Sequence, residues 1–102
     1  MQTAKILIRA PEGIPPRMVK DYVGRCHTAL QGAAAALDHS DYGQLVVFGH
    51  RLKGSGGAYG MPALTVIGSA IEDAARRANL NELRQKVVDL EQYLELVEIA
   101  SN

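Results

Sequence analysis

Apolar side chains recur at alternating steps of three and four along four separate stretches of this 102-residue chain. That spacing places them on one face of an α-helix, and it predicts four amphipathic helices. The first stripe is Val19, Val23, Cys26, Leu30, Ala33 and Leu37, and the second is Leu45, Phe48, Leu52 and Tyr59. The third is Leu64, Ile67, Ile71, Ala74 and Ala78, and the fourth is Leu83, Val87, Leu90, Leu94 and Val97. The helix-breaking residues agree with this division. Pro11, Pro15 and Pro16 precede the first stripe and Pro62 the third, as expected of a residue tolerated at helix starts. Asp41 with Gln44, and Asn79 with Glu82, have the spacing of capping boxes. Gly60 followed by Met61-Pro62 closes the second helix, expected to run from Asp41 to Gly60, and opens the third. Four such helices with short connections predict an all-α chain, an antiparallel four-helix bundle. Only Lys5 to Arg9 departs from helical spacing. There Ile6 and Ile8 alternate with period two, so residues 1–14 are expected to form a short extended arm or lid and residues 15–102 the bundle. Ala33 to Ala36 suits close helix packing, and Cys26 reads as core.

Composition removes several functional classes. Eleven Lys and Arg balance eleven Asp and Glu, so no net charge draws the chain to nucleic acid or to an anionic membrane. One cysteine cannot close an intrachain disulfide, and the four apolar residues before Arg9 are too few for a signal peptide or a membrane span. A cytoplasmic monomer is expected. Met1 and the complete bundle favour a stand-alone protein. The charge balance hides an asymmetry: residues 1–60 hold seven basic and four acidic side chains, and residues 61–102 four and seven.

The informative segment is the second helix. Gly43, Gly49, Gly54, Gly56 and Gly57 all fall between Asp41 and Gly60. In a helix interior each costs about 0.5–1 kcal/mol relative to alanine, on the order of 2–5 kcal/mol together. That is a large fraction of a typical total stability of about 5–15 kcal/mol, so the glycines call for a reason other than helix stability. Gly49 and Gly56 fall near the core stripe and are expected to let a neighbouring helix approach.

On a helical wheel with Leu45 at zero, the core stripe centres near roughly 330°, whereas Lys53 lies near 80°, Gly57 near 120°, His50 near 140° and Gly54 near 180°. His50 therefore faces away from the core, beside two residues without side chains. Val46 and Val47, one turn earlier, are expected to point outward as well. This pattern describes a docking surface. A lone surface histidine is ordinarily inert, but an outward imidazole with a lysine three residues on and bare backbone beside it suits a different role. An imidazole, with its ordinary pKa near 6.5, has a free ring lone pair at pH 7 and can attack an electrophile without a dedicated base. Lys53 could offset the charge of an incoming phosphoryl group, with Arg51 less directly placed. No acidic residue follows His50 and no carboxylate cluster surrounds it in sequence. A partner would therefore have to supply metal and donor.

His50-Arg51-Leu52-Lys53-Gly54-Ser55, followed by Gly60, resembles the H-x-L-K-G-S motif of histidine-containing phosphotransfer (HPt) domains. Ile71-Glu72-Asp73-Ala74-Ala75 resembles the family's I/L-E-x-A-A stretch in the next helix, and Leu83 to Val97 is similar to its last. The likeness covers roughly residues 15–99. It implies a four-helix bundle in a bacterial-type two-component phosphorelay, which takes a phosphoryl group from a receiver's aspartyl phosphate or from a histidine kinase and passes it to a response-regulator receiver. Carried over by position, His50 is the phosphorylated nucleophile, Lys53 the charge stabiliser and Gly54 the small residue that admits the receiver. Arg51, Gly57, Val46 and Val47 complete the expected contact surface, the last three from the wheel. Response-regulator receivers and a sensor or hybrid histidine kinase are the implied partners, with Mg2+ expected on the receiver and no cofactor of the chain's own. The histidine-kinase dimerisation helix fits less well, since an acidic residue usually follows its histidine and Arg51 stands here. Nor is there a glycine-rich ATP-binding box, so no kinase activity is expected. His27, His39 and His50 are 12 and 11 residues apart with no i,i+4 pair, which argues against a metal site. The alternative is a bundle that binds receivers or other partners without carrying phosphate.

Overall fold

A computed structural model describes residues 4–100. Its order is strand β1 (Ile6–Ile8), helix α1 (Pro16–Asp38), helix α2 (Tyr42–Ser55), a 3-10 turn (Gly57–Tyr59), helix α3 (Pro62–Arg76), helix α4 (Leu80–Leu96) and strand β2 (Val97–Ile99). The expected ends of the arm and of the bundle, residues 1–3 and 101–102, lie outside the described residues.

The caps form at the expected residues but not as full capping boxes, since the Asp41 and Asn79 N–H groups bond to Ala36 O and Ala74 O and not to the Gln44 and Glu82 side chains. Pro16 starts α1 and Pro62 starts α3. Asp41 accepts the Gln44 N–H at 3.1 Å, and Asn79 accepts that of Glu82 at 3.1 Å. Each helix packs against the next, and α4 returns to α1. Val19, Leu45, Leu64, Ile71, Leu83 and Leu90 are fully buried between them, and Cys26 is core. Burial pushes the Cys26 thiol up, as befits a small apolar filler.

All four stripes differ in part from expectation. In α1 the buried face is rotated toward Tyr22 and Ala36, leaving Val23 and Leu37 half-buried. The reason is Tyr22, whose ring stacks on Tyr59 with centroids 4.1 Å apart and whose hydroxyl meets Ser55 Oγ at 2.6 Å. Burial pushes this phenol up to about 12, against the opposing pull of the Ser55 hydrogen bond. Second, α2 ends at Ser55 instead of continuing to Gly60. A Cβ on Gly56 would lie 2.6 Å from Leu64 Cβ, so the chain breaks into the 3-10 turn where α3 passes. It then reverses through Gly60 at φ +82°, a left-handed conformation that suits glycine. Third, Ala78 lies beyond the end of α3, exposed and at φ +52°, because Asn79 N–H turns back to Ala74 O to reverse the chain.

Val97 does not continue α4. It begins β2, which pairs in parallel with β1 in the register Ile6↔Val97, Leu7↔Glu98 and Ile8↔Ile99. Ala100 N–H extends this ladder to Ile8 O at 2.8 Å. The period-two segment is thus a strand clasped to the other end of the chain, with Ile8 buried. It continues past the turn before α3, where a Cβ on Gly60 would lie 3.0 Å from Arg9 O.

Candidate functional site

The site is built where α2 and α3 touch backbone to backbone. A Cβ on Gly49 would lie 2.6 Å from Glu72 N and 2.8 Å from Gly68 O, and one on Gly68 would lie 2.5 Å from Lys53 N. Only glycine fits at either position. The expectation that Gly49 and Gly56 admit a neighbouring helix is met, and Gly68 is the facing half of the contact. Thr65 of α3 fastens the end of α2. Its hydroxyl donates to Lys53 O and accepts the Gly57 N–H, both at 3.1 Å. On the other side, Ser55 Oγ donates to Arg51 O at 2.9 Å and can accept from the Tyr22 hydroxyl. The end of the helix carrying Lys53 and Gly54 is therefore held from both α1 and α3.

This close approach brings Glu72 of α3 under His50. The imidazole is 70 % exposed, the Glu72 side chain only 10 %, and His50 Nδ1 lies 3.1 Å from Glu72 Oε2. Arg76 Nη2 donates to the same oxygen at 2.9 Å, while Lys53 Nζ stands 3.6 Å from Oε1. The Arg76 hydrogen bond, opposed by partial burial and joined by His50 and Lys53, holds the Glu72 carboxyl below the usual carboxylate range. At neutral pH Glu72 is then an acceptor only, so Nδ1 must donate to it. A neutral imidazole protonated at Nδ1 presents its lone pair at Nε2. The arrangement fixes the tautomer of an exposed imidazole and places an ammonium close by.

The remaining expected residues divide. Around the place where a Cβ would stand, Gly54 meets no neighbouring group within 4 Å and Gly57 only Thr65 Oγ1 at 3.5 Å, so both are open backbone. Gly57 lies in the 3-10 turn and not in α2. Val47 is exposed and lines a groove between α1 and α2 together with Arg51, Tyr22, Arg25 and Phe48. Val46 does not point outward as expected. It is half-buried against the core, one turn before Gly49 on the side where α3 closes in. His27 is exposed, and His39 caps the end of α1, its Nδ1 2.9 Å from Ala35 O. Among the described residues no three His, Cys, Asp or Glu side chains are grouped to hold a metal ion. Nor is any helix among them long and apolar enough to cross a membrane.

The residue missed as a site member is Glu72, noted in sequence only as part of a likeness. Periodicity gave no signal for it, since one residue past Ile71 lies about 100° round the helix from the core stripe, and its burial comes from the approach of α2 at Gly49. Arg76, one turn later, gave no sign of its own.

A family model described as "Hpt domain" matches residues 17–100. No curated protein matches the chain, and no solved structure does.

Proposed function

Since the chain belongs to the Hpt domain family, whose members carry phosphoryl groups on histidine in two-component phosphorelays, we propose that His50 accepts a phosphoryl group and returns it to a receiver domain. The observation that carries this reading is the His50–Glu72 hydrogen bond, which leaves Nε2 as the exposed nucleophile on a surface of open glycine backbone. The Nε2 lone pair attacks the phosphorus of an aspartyl phosphate. As the N–P bond forms, the acyl P–O bond breaks and its electron pair leaves on the aspartate. The Nδ1 proton stays on the ring, and its hydrogen bond to Glu72 steadies the positive charge the ring acquires. Lys53, 48 % exposed, offsets the charge of the phosphoryl oxygens. Passage to the next receiver is the same step reversed.

On this reading the chain is a carrier without kinase activity of its own, an antiparallel bundle acting as a cytoplasmic monomer. Its partners are response-regulator receivers and a sensor or hybrid histidine kinase, and the Mg2+ belongs to the receiver. Val47 and Arg51 on the α1–α2 side, with Gly54 and Gly57 beside His50, form the docking surface, and Val46 supplies at most its edge. Incubation with a phosphorylated receiver tests the function. Label should pass to the chain and be acid-labile but alkali-stable, as a phosphoramidate is. Binding without any label would favour the alternative, a module that only docks receivers.

Gly54 separates docking from folding. Nothing meets a Cβ there, so Gly54→Ala should leave stability unchanged or raise it by up to about 1 kcal/mol. Gly54→Gln, with a side chain projecting into the partner's path, should fold normally and slow transfer from a receiver. Unimpaired transfer by Gly54→Gln would remove this face from the interface.

A further inference from the structure

The two cations beside Glu72 are not equivalent. Arg76 is hydrogen-bonded to Oε2 at 2.9 Å, the oxygen that also takes His50 Nδ1, whereas Lys53 stands 3.6 Å from Oε1, beyond ordinary hydrogen-bond length. Among the described residues, the charged groups facing this carboxylate are Lys53 and, when protonated, His50 from α2, and Arg76 from its own helix. Arg76 follows Glu72 by four residues on α3, a spacing that brings side chains together on one helix face. Glu72 is nearly buried, and a nearly buried carboxylate deprived of its counter-charge is costly. If Lys53 were its only cation, Lys53 could not turn to a phosphoryl group without leaving that charge behind.

We propose that Arg76 is a positioning residue that holds Glu72 against Nδ1 of His50 and thereby frees Lys53 to turn from Glu72 to the phosphoryl group arriving at Nε2. This rests on the reading of His50 as phosphoryl acceptor. Lysine suits the moving role, with a point charge on a flexible stem, and arginine the fixed one, with a planar fork of donors. Arg76 acts through Glu72 and does not touch the phosphoryl group.

The test compares the wild-type chain with Arg76→Gln, Arg76→Lys, Lys53→Ala and the double variant Lys53→Ala/Arg76→Gln. Two measurements are made: the His50 ring tautomer by 15N NMR without phosphate, and the rate of phosphorylation by the small donor phosphoramidate as a function of pH. Arg76 is 62 % exposed, so its variants should fold. Arg76→Gln is expected to reduce the share of the Nδ1–H tautomer, slow phosphorylation roughly tenfold and displace the acid limb of the profile to higher pH. The limb moves up because, without the Arg76 charge, Glu72 draws a second proton onto the ring more strongly, and a ring holding both protons has no lone pair at Nε2. Arg76→Lys should restore part of each effect. In the Lys53→Ala background, Arg76→Gln should cost less than in the wild type, because no lysine remains to be released. An unchanged tautomer and acid limb with a slower rate would show Arg76 to be a direct phosphoryl ligand and overturn the proposal, as would equal costs in both backgrounds. If the wild type takes no label, the phosphotransfer reading fails, while the tautomer signal still decides whether Arg76 positions Glu72.

Discussion

His50→Gln is expected to abolish phosphoryl acceptance from a phosphorylated receiver, by roughly 10³-fold or more, while leaving the melting temperature close to that of the wild type. The two halves of this result have separate causes. Glutamine has no ring nitrogen lone pair to form the N–P bond, so the covalent route closes and is not merely weakened. Stability is spared because the imidazole is 70 % exposed and Glu72 keeps Arg76 at 2.9 Å and Lys53 at 3.6 Å after its loss. Exposed substitutions of this kind ordinarily change stability by no more than about 0.5 kcal/mol. Transfer of label to the variant, followed by gel autoradiography, would assign the phosphoryl group to another residue. A large fall in melting temperature would instead make His50 a structural member of the α2–α3 contact.

Gly68→Ala is expected to be the most damaging small change in the chain. Alanine ordinarily improves a helix by about 1 kcal/mol over glycine, so local propensity predicts a more stable protein. The tertiary contact predicts the opposite. The added Cβ would lie 2.5 Å from Lys53 N and 2.8 Å from Gly49 O, and both are backbone atoms that cannot swing aside. Relieving the overlap requires α2 and α3 to separate, at a cost of about 1–3 kcal/mol or more, with the upper part of that range outweighing the propensity gain. Thermal unfolding should therefore fall by several degrees, at about 4–8 °C per kcal/mol for a domain near this size. The same separation lengthens the His50–Glu72 hydrogen bond, so phosphoryl acceptance should slow even in the fraction that folds. Gly54→Ala is the internal control, made on the same helix pair with open space at the Cβ. Equal melting temperatures for the two variants would show that the close approach at Gly49 and Gly68 does not limit this fold.

The contrast between these glycines marks where sequence reading succeeds. Spacing put Gly49 and Gly56 near the core and Gly54 and Gly57 outward. The burial of the first two and the exposure of the others agree, although Gly57 lies past the end of α2, where the wheel no longer places it beside His50. It gave no reason to pair Gly49 with Gly68, and it carried α2 through the break at Gly56 to Gly60. Val46 and Tyr22 failed for a related reason. Each lies at the edge of an apolar face, where a neighbouring helix and not the wheel angle decides burial.

By itself, the sequence determined the four helices, the caps at Asp41 and Asn79, most of the core and the exposure of His50 with Lys53 one turn away. These are local properties, since a 3.6-residue period and a capping side chain act within a few residues of one another. The tertiary structure decided the rest. It closed Ile6–Ile8 against Val97–Ile99, brought Tyr22 to Ser55 across 33 positions and placed Glu72, 22 positions from His50, against its Nδ1. Such contacts depend on the register and separation of two helices, set here by backbone meeting backbone at Gly49 and Gly68. His50 could thus be found from one helix, but the carboxylate that orients its ring required two.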